Sequence, residues 1–358
     1  MSSPKKVLFV SCAAGAGHVR AAEALLSELQ TKHPEIITDH LDLVDFSHPA
    51  LCFILSTAYI SSVRHYPLLY KLIYELSNNK TSNILLNILA FFLCVITKKY
   101  RQKIRDFNPD IIISTYFFST ALLPPTSAKI YTVITDYKHH QVWFNKKSVG
   151  YFVATEEIKK EIESQSDAKV VVSGIPINPE FLKEKNTEKI KNDFGLNNQL
   201  PTILILPCQS GTIAPDKIVK QILNKPYNII AVAGKSNPNI YKNFLELKKE
   251  AQNFWPLPYS DKIDELMRMS DVIITKAGGI TITECLHLGK PIIVVNPIPG
   301  QEEHNTEMIL KNNYGVKIED LAQLETEITK ILGDKNYLKK AKLPDNPNAV
   351  IIDFCLSF

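Results

Sequence analysis

Residues 271–305 read DVIITKAGGITITECLHLGKPIIVVNPIPGQEEHN, and this stretch decides the fold. The apolar run Val272 to Thr275 predicts a short buried strand. Gly278-Gly279 then breaks the strand and lets the backbone approach a ligand closely. A helix follows and stops at Gly289, before a second buried strand at Ile292 to Val295. The stretch therefore predicts strand, glycine turn, helix, strand and then an acidic-amide loop.

The polar residues of this stretch are placed to hold a ligand. Thr281 or Thr283 is expected to cap the helix, whose exposed N–H groups at its start form an anion site. Glu284 is predicted to lie in about the first turn. Gln301 and Glu302 are predicted in the loop at the C-terminal end of the second strand, the edge where open α/β sheets bind ligands. A diphosphate at the helix start, with Glu284 accepting from sugar hydroxyls, is the geometry of nucleotide-sugar binding; a βαβ unit with ordinary caps is the alternative.

The composition sets the class of protein. A chain of 358 residues suits two α/β domains, and its 45% apolar content is ordinary for a folded globular protein. The net charge of +4 is mild, and no RNA-binding signature appears, so we expect no nucleic-acid partner. None of the six cysteines forms a CxxC pair, which argues against zinc and dithiol redox chemistry and favours a reducing cytosol.

The apolar segments predict a chain that is soluble or lies on a membrane surface. The lysine pair near the N-terminus precedes only a short apolar run, which indicates a first strand rather than a signal peptide. The longest apolar run, Ile84 to Thr97, has about fourteen residues, whereas a spanning helix needs roughly twenty. Between residues 49 and 104, apolar helices with basic margins are typical of a membrane interface that meets anionic lipid headgroups. Burial of the same helices in the domain is the alternative.

Strands and helices alternate in both halves of the chain. We predict an N-terminal domain at 1–180 and a C-terminal domain at 195–345, with the polar segment Asn178 to Leu200 as the linker. Trp255 to Pro258, which contains two prolines, is expected to be a loop. The predicted fold class is α/β, with two Rossmann-like doubly wound domains facing each other across a cleft.

Several segments together resemble a known family. AGAGH at 14–18, TDYKHHQVW at 135–143, YFVATEEIKKEI at 151–162, SGIPINPEF at 173–181 and the 271–305 block occur in family order. They resemble glycosyltransferase family 28, and within it the monogalactosyldiacylglycerol synthases and bacterial processive diacylglycerol glucosyltransferases. The N-acetylglucosaminyltransferase that makes lipid II is similar in turn. The resemblance implies a GT-B fold with an acceptor-binding N-terminal half, a UDP-sugar-binding C-terminal half and inversion of the anomeric centre.

The resemblance also implies no cofactor and no protein-bound metal, with the UDP-sugar as donor substrate. No Asp-x-Asp spacing occurs in the chain, and helix dipoles can stabilise a departing diphosphate instead. The chain departs from the family at 206–212, where a glycine-rich loop is usual and a single glycine stands. Ser210 and Gly211 of this loop are nevertheless predicted to contact phosphate. The departure raises the prospect of altered donor choice or weak activity.

Two residues are the candidates for catalysis. His18 stands on a glycine-flanked turn after the first strand, and an imidazole titrates near neutral pH, which suits a general base. Asp136, at the end of another strand, is predicted to be the base or to orient it. Trp143 either stacks on a sugar or acyl chain or fills the core. The candidates for acceptor binding are Gly15, Gly17, His140 and Trp143.

The leading hypothesis is an inverting transfer of a hexose from UDP-hexose to diacylglycerol or a related lipid. The protein would be cytoplasmic and peripherally associated with the anionic inner face of the membrane. One alternative is a UDP-N-acetylglucosamine transferase with a polyprenyl-linked or other acceptor, and another is a catalytically weak UDP-sugar-binding protein. A dinucleotide-dependent oxidoreductase is disfavoured because Arg20 stands where the GxGxxG spacing needs its third glycine.

Overall fold

A computed structural model describes residues 5–13, 16–53, 59–79, 81, 93, 96–206, 215–234 and 238–357. The chain divides into two compact units. One consists of Met1–Leu182 together with Pro344–Phe358, and the other is Lys183–Leu343.

A parallel sheet of six strands forms the middle of the first unit. Its strands are β1 Lys6–Ser11, β2 Ile37–Asp42, β3 Ile111–Ser114, β4 Lys129–Val133, β5 Ser148–Val153 and β6 Lys169–Val172. Their order across the sheet is β2-β1-β3-β4-β5-β6. The chain adds β2 on one side of β1 and all later strands on the other side, so the strand order reverses between β1 and β3. β3 is buried on both faces, as its run of three isoleucines predicts for a central parallel strand.

Helices cover this sheet. The first helix begins at Ala16 and turns Ala22, Leu25 and Leu29 toward the strands, a spacing that places one face of a helix on the core. In the described part of the chain, no helix has the length and apolar character needed to cross a bilayer. The helices of the first unit are Ala16–Lys32, Pro49–Phe53, Tyr59–His65, Pro67–Ser77, Lys98–Phe107, Phe117–Ala121, Glu156–Glu163 and Pro347–Leu356.

The last helix, Pro347–Leu356, belongs to the first unit although the chain reaches it from the second. Ile351 and Ile352 are fully buried in the same apolar cluster as β1 and β3. A reciprocal amide pair fixes the helix start, because Asn348 Nδ2 donates to the Ile177 carbonyl at 2.8 Å and the Ile177 N–H donates to Asn348 Oδ1 at 3.2 Å. This terminal helix lies outside both predicted domains, 1–180 and 195–345.

The second unit repeats the architecture with another parallel sheet of six strands. They are β7 Thr202–Ile205, β8 Asn228–Val232, β9 Phe254–Leu257, β10 Val272–Thr275, β11 Ile292–Val295 and β12 Gly315–Ile318. The order β12-β11-β10-β7-β8-β9 reverses between β7 and β10. The predicted loop at Trp255 to Pro258 is therefore wrong. It forms edge strand β9, and an edge position tolerates a proline such as Pro256 because one side of the strand makes no ladder bonds.

The segment interpreted as a linker is also structured. The helix Thr187–Asp193 lies within it, and Lys185 Nζ forms an ion pair with Asp264 Oδ2 at 2.6 Å. Asn228, which is fully buried, donates to the carbonyls of Asn197 and Leu200 at 2.8 and 3.0 Å and so ties the segment to β8. The helices of the second unit are Thr187–Asp193, Pro215–Ile222, Pro238–Lys248, Ile263–Met269, Gly279–His287, Gln301–Lys311 and Leu324–Gly333.

The close packing of β12 on β11 yields a test of the second unit. A Cβ at Gly315 would stand 2.5 Å from the Ile292 carbonyl oxygen and 2.9 Å from Ile309 Cγ2. Because a backbone oxygen cannot yield as a side chain can, we expect Gly315→Ala to lower the free energy of unfolding by about 1–3 kcal/mol. Gly333→Ala is the matched control, since nothing lies within 4 Å of its Cβ position. Equal urea midpoints for the two variants would contradict the packing described.

Candidate active site

Candidate residues of each unit lie at the place where its strand order reverses. In the first unit, the turns after β1, β3 and β4 meet at one edge, because these strands are neighbours and parallel. In the second unit, the turns after β10 and β11 meet in the same way. The carboxyl edge at such a reversal is where open α/β sheets bind ligands.

The side chain of His18 is held by hydrogen bonds at the first of these edges. Its Nδ1 donates to the Thr115 carbonyl oxygen at 3.0 Å and lies 3.0 Å from Thr135 Oγ1. Thr115 Oγ1 in turn donates to the His18 carbonyl at 2.7 Å. Thr115 follows β3 and Thr135 follows β4, so three turns of the sheet hold one imidazole.

These contacts determine the tautomer of His18. A carbonyl oxygen only accepts, so Nδ1 carries the proton and Nε2 keeps its lone pair. Burial lowers the pKa of His18 to about 4, and the hydrogen bond to Thr115 offsets part of that effect. At neutral pH the ring is therefore uncharged and able to accept a proton at Nε2.

Aromatic rings surround this imidazole. The His18 ring centroid lies 4.8 Å from that of Tyr116 and 5.9 Å from that of Trp143. Trp143 is buried and also meets Phe117 edge-on at 5.8 Å. Trp143 thus fills the core beside His18, which is the second of the two roles considered for it. Its contact with acceptor stays a prediction.

The other candidates of the first unit lie close by. Asp136 is buried directly after Thr135, and its negative charge contributes, after burial, to a raised pKa of Tyr74. Gly17 is the second residue of the helix Ala16–Lys32, immediately before His18. Gly15 lies outside the described residues.

His140 is buried and uses both ring nitrogens within the protein. Nε2 donates to the Tyr74 carbonyl at 2.9 Å, and Nδ1 accepts from the Val142 N–H at 3.2 Å. The second bond caps the short 3-10 helix Gln141–Trp143. The structure therefore shows His140 joining the helix Pro67–Ser77 to the turn at Gln141–Trp143, and contact with acceptor stays a prediction.

In the second unit the glycine turn leads directly into the helix Gly279–His287. Gly278 is the N-cap residue. The first-turn amides of this helix have no intrahelical acceptors, because no helical turn precedes them. The predicted cap at Thr281 or Thr283 is wrong, because both residues lie inside the helix. Thr283 Oγ1 instead donates to the Gly279 carbonyl at 2.8 Å.

Glu284 lies in the second turn of this helix rather than in the first, and its side chain is buried, with 3% of the residue exposed. Gln301 begins the helix Gln301–Lys311, so the predicted acidic-amide loop is wrong. Gly300 adopts a left-handed φ of 79° before it, and the Gly300 N–H donates to Glu303 Oε2 at 3.0 Å. Gln301 thus lies at a helix start after β11, next to the glycine turn that follows β10.

Glu302 fastens the two turns of this edge to each other. One carboxylate oxygen pairs with Lys276 Nζ, and the other accepts from the Ile298 N–H at 2.8 Å. Asn305 adds a bond from Nδ2 to the Ala277 carbonyl at 3.0 Å. Since both oxygens of Glu302 have partners, the structure gives it a positioning role, and direct donor contact stays a prediction.

Two further candidates fall on residues that the structure leaves out. Ser210 and Gly211 belong to the segment after β7, and both lie outside the described residues. Among the described ones, no three His, Cys, Asp or Glu side chains gather as a metal site.

Among the residues that hold the candidates in place, Thr115 and Asn305 were not predicted from the sequence. Thr115 anchors His18, and Lys276 and Asn305 complete the clamp around the glycine turn. Thr115 directly follows the last residue of buried strand β3, so a search of the position after each predicted strand would have identified it. Asn305 carries no such signal.

Two models of known families match successive parts of the chain. The family model of monogalactosyldiacylglycerol (MGDG) synthase matches residues 18–177, and that of the glycosyltransferase family 28 C-terminal domain matches residues 196–351. The first match begins at His18, and the second contains Gly278, Glu284 and Gln301.

Several known proteins are similar over nearly the whole chain. The processive diacylglycerol beta-glucosyltransferase of Bacillus pumilus is 29% identical over 364 residues, which cover 96% of this chain and 90% of that protein. The enzyme of the same name from Bacillus subtilis is 26% identical over 359 residues, with 96% and 91% covered.

Solved structures share the fold at lower identity. MurG of Acinetobacter baumannii superposes with a TM-score of 0.58 at 16% identity, over 99% of this chain and 100% of that one. The calicheamicin glycosyltransferase CalG4 gives 0.59 at 10% identity, over 100% and 95%. These likenesses confirm the predicted class of two Rossmann-like domains of the GT-B type. With an MGDG synthase domain followed by the family's C-terminal domain, the chain belongs to glycosyltransferase family 28.

Proposed function

We propose that this protein is an inverting glycosyltransferase that moves a hexose from a UDP-sugar to diacylglycerol or a related lipid. The observation that carries the proposal is the hydrogen bond from His18 Nδ1 to the Thr115 carbonyl, which makes Nε2 a proton acceptor at the carboxyl edge of the sheet. The names of the Bacillus relatives support the acceptor and sugar classes.

The reaction is a single displacement at the anomeric carbon. The acceptor hydroxyl oxygen forms the new bond to that carbon from the face opposite the leaving group, and its proton passes to His18 Nε2. The bond between the carbon and the diphosphate oxygen breaks, and its electron pair leaves with UDP. We assign to Asp136, which is buried directly after Thr135, the role of orienting the His18 base.

The second unit holds the donor. The first-turn amides of the helix Gly279–His287 face the negative charge that develops on the diphosphate, as a helix N-terminus favours. The Glu284 carboxylate accepts hydrogen bonds from ribose or sugar hydroxyls, and the Gln301 amide accepts from them or donates to them. Thr281 lies in the first turn of the same helix. This stabilisation needs no protein-bound metal, and the lack of an Asp-x-Asp spacing supports that part of the proposal.

The lipid acceptor is reached through the helix Pro67–Ser77. This helix has no buried residue, and five large apolar side chains on it are more than half exposed: Leu68, Leu69, Leu72, Ile73 and Leu76. Residues 69, 72, 73 and 76 share one face at helical spacing, which suits insertion between lipid headgroups. The exposed lysines of the helix Lys98–Phe107 supply positive charge in the same unit, so we place the protein on the anionic inner face of the membrane.

The proposal is tested by measuring UDP release from UDP-glucose or UDP-galactose with anionic vesicles that contain diacylglycerol. Release that requires the diacylglycerol, with a glycosylated lipid seen by mass spectrometry, supports it. A panel that includes UDP-N-acetylglucosamine with a polyprenyl-linked acceptor separates the nearest alternative. Tight UDP binding without turnover on any pair would instead indicate a UDP-sugar-binding protein.

Glu284→Gln keeps the size of the side chain and removes its charge. Because hydrogen bonds to a charged group contribute about 1.5–3 kcal/mol, we expect the KM for the donor to rise about 10–100-fold while kcat changes less. Glu307→Gln is the matched control, since Glu307 is exposed and pairs only with His304 among the partners seen. Steady-state kinetics and calorimetry with UDP measure the effect; unchanged donor affinity would remove Glu284 from the donor site.

His18→Ala should lower kcat by about 10²–10⁴ while the affinity for UDP stays the same, because it removes the base and no donor contact. His33→Ala is the control and should be silent, because His33 is a half-buried histidine directly after the other end of the same helix and pairs with Glu35. Loss of UDP binding in His18→Ala would show that His18 contacts the donor.

The pH profile tests the environment of His18. With its pKa lowered to about 4, the imidazole stays neutral as the pH falls from 8 to about 5.5. We expect kcat/KM to hold across this window and to fall only as pH approaches the lowered pKa. An imidazole of ordinary pKa would be about 90% protonated at pH 5.5, so a tenfold loss there would contradict the buried site described.

Membrane association is tested on the exposed face of the helix Pro67–Ser77. Burial of a leucine side chain contributes about 1.5–3 kcal/mol, so Leu72→Glu with Leu76→Glu should lower binding to anionic vesicles at least tenfold in sedimentation assays. Leu245→Glu, on an isolated leucine that is 42% exposed, is the control. Equal vesicle binding by both proteins would mean that another surface meets the membrane.

A further inference from the structure

We propose that Asn296 binds a hydroxyl group of the donor hexose and so helps to determine which hexose the protein accepts. The inference rests on the proposed function and deepens it, because it assigns a residue that selects the sugar. Asn296 directly follows β11, at the carboxyl edge of the second sheet. Its side-chain amide can both donate to a hydroxyl group and accept from one.

The backbone of Asn296 has a conformation that few residues other than glycine adopt. Its φ is 45°, in the left-handed region that glycine occupies readily. It also precedes Pro297, and a residue before proline is normally extended with a negative φ. Such strained residues persist where the surrounding structure enforces them, and they cluster at ligand-binding sites.

The ends of helices do not explain this conformation. Among the described residues, the other two non-glycine residues with a positive φ each follow a helix. Asn108, with a φ of 50°, is the C-cap of the helix Lys98–Phe107, and Asn313, with a φ of 59°, comes two residues after the helix Gln301–Lys311. A left-handed residue commonly closes a helix. Asn296 follows a strand, so its conformation needs another reason.

The loop at 296–300 is held in place by the helix that follows it. Its two prolines fix φ at their positions. The Ile298 N–H donates to Glu302 Oε2 at 2.8 Å, and the other carboxylate oxygen of Glu302 pairs with Lys276 in the turn after β10. The position of Asn296 is therefore fixed relative to that turn.

The pairing of β10 with β11 places Asn296 beside the glycine turn. Thr275 pairs with Val294 in this parallel ladder. Asn296 is two residues past that pair on one strand, as Ala277 is on the other, and Gly278 comes next as the N-cap of the donor helix. Neighbouring strands lie about 4.8 Å apart. Asn296, which is exposed, thus leaves the sheet next to the place proposed for the diphosphate and the hexose bound to it.

A fixed amide suits the recognition of one sugar hydroxyl. Hexoses such as glucose and galactose differ in the direction of a single hydroxyl group. A site built to hydrogen-bond a hydroxyl rejects a ligand that lacks it there, because its polar group is then left unpaired. An amide on a mobile loop would follow either sugar, whereas the contacts around Asn296 favour one.

Asn296→Gly removes the amide and suits the left-handed φ, so the unfolding midpoint should not fall. Calorimetry without acceptor gives the Kd for UDP, UDP-glucose and UDP-galactose. We expect the Kd for one of the two hexose donors to rise about 2–10-fold, as the loss of one neutral hydrogen bond predicts, and the Kd for the other to rise less. The Kd for UDP should stay the same.

Asn108→Gly is the matched control, because Asn108 is also exposed, has a φ of 50° and precedes a proline. All three Kd values should be unchanged in this variant. In Asn296→Gly, an equal change in the three Kd values, or no change in any of them, would overturn the role in hexose selection.

The same measurements separate this inference from the proposed function. If the wild-type protein binds a UDP-hexose and transfers it to no acceptor, the proposed function fails, and the Kd values still decide the role of Asn296. Transfer by the wild-type protein with the same hexose preference in Asn296→Gly rejects that role alone. A wild-type protein that binds none of the three nucleotides contradicts both.

Discussion

The candidate residues of both units lie where the strand order of a parallel sheet reverses. At that point the chain leaves the two neighbouring strands in opposite directions, and the crevice between the two connections can accept a ligand. The reversal lies between β1 and β3 in the first unit and between β7 and β10 in the second. All the turns at the carboxyl edge start from neighbouring strands, so short polar side chains there come within bonding distance. His18, Thr115 and Thr135 meet for this reason, although 117 residues separate the first from the last.

The carboxyl edges of the two sheets limit the free-energy cost of buried charge in different ways. In the first, burial keeps the His18 ring neutral, and one nitrogen anchors it while the other remains basic. In the second, Lys276 and Glu302 pair, so their charges largely cancel beside the glycine turn. The backbone amides of the helix Gly279–His287 then provide the positive potential there.

The sequence predicted what local patterns encode. Runs of isoleucine and valine marked the central strands, and the residues after them marked the sites of His18 and Glu284. The loop predicted at Gln301 was a helix because the buried face of Gln301–Lys311 carries Glu302, Asn305 and Thr306 at helical spacing, a polar stripe that an apolar template misses. The bond between His140 and Tyr74 joins residues 66 apart, and no local pattern announces such a pair.

The helix Pro347–Leu356 makes the second unit an insertion in the sequence of the first. Its isoleucines complete the apolar cluster beneath β1, the strand whose following turn leads to His18. Removal of this helix would therefore take buried side chains out of the core of the first unit and leave the main apolar cluster of the second unit unchanged. If the two units are expressed separately, the segment Pro344–Phe358 needs to be joined to Met1–Leu182.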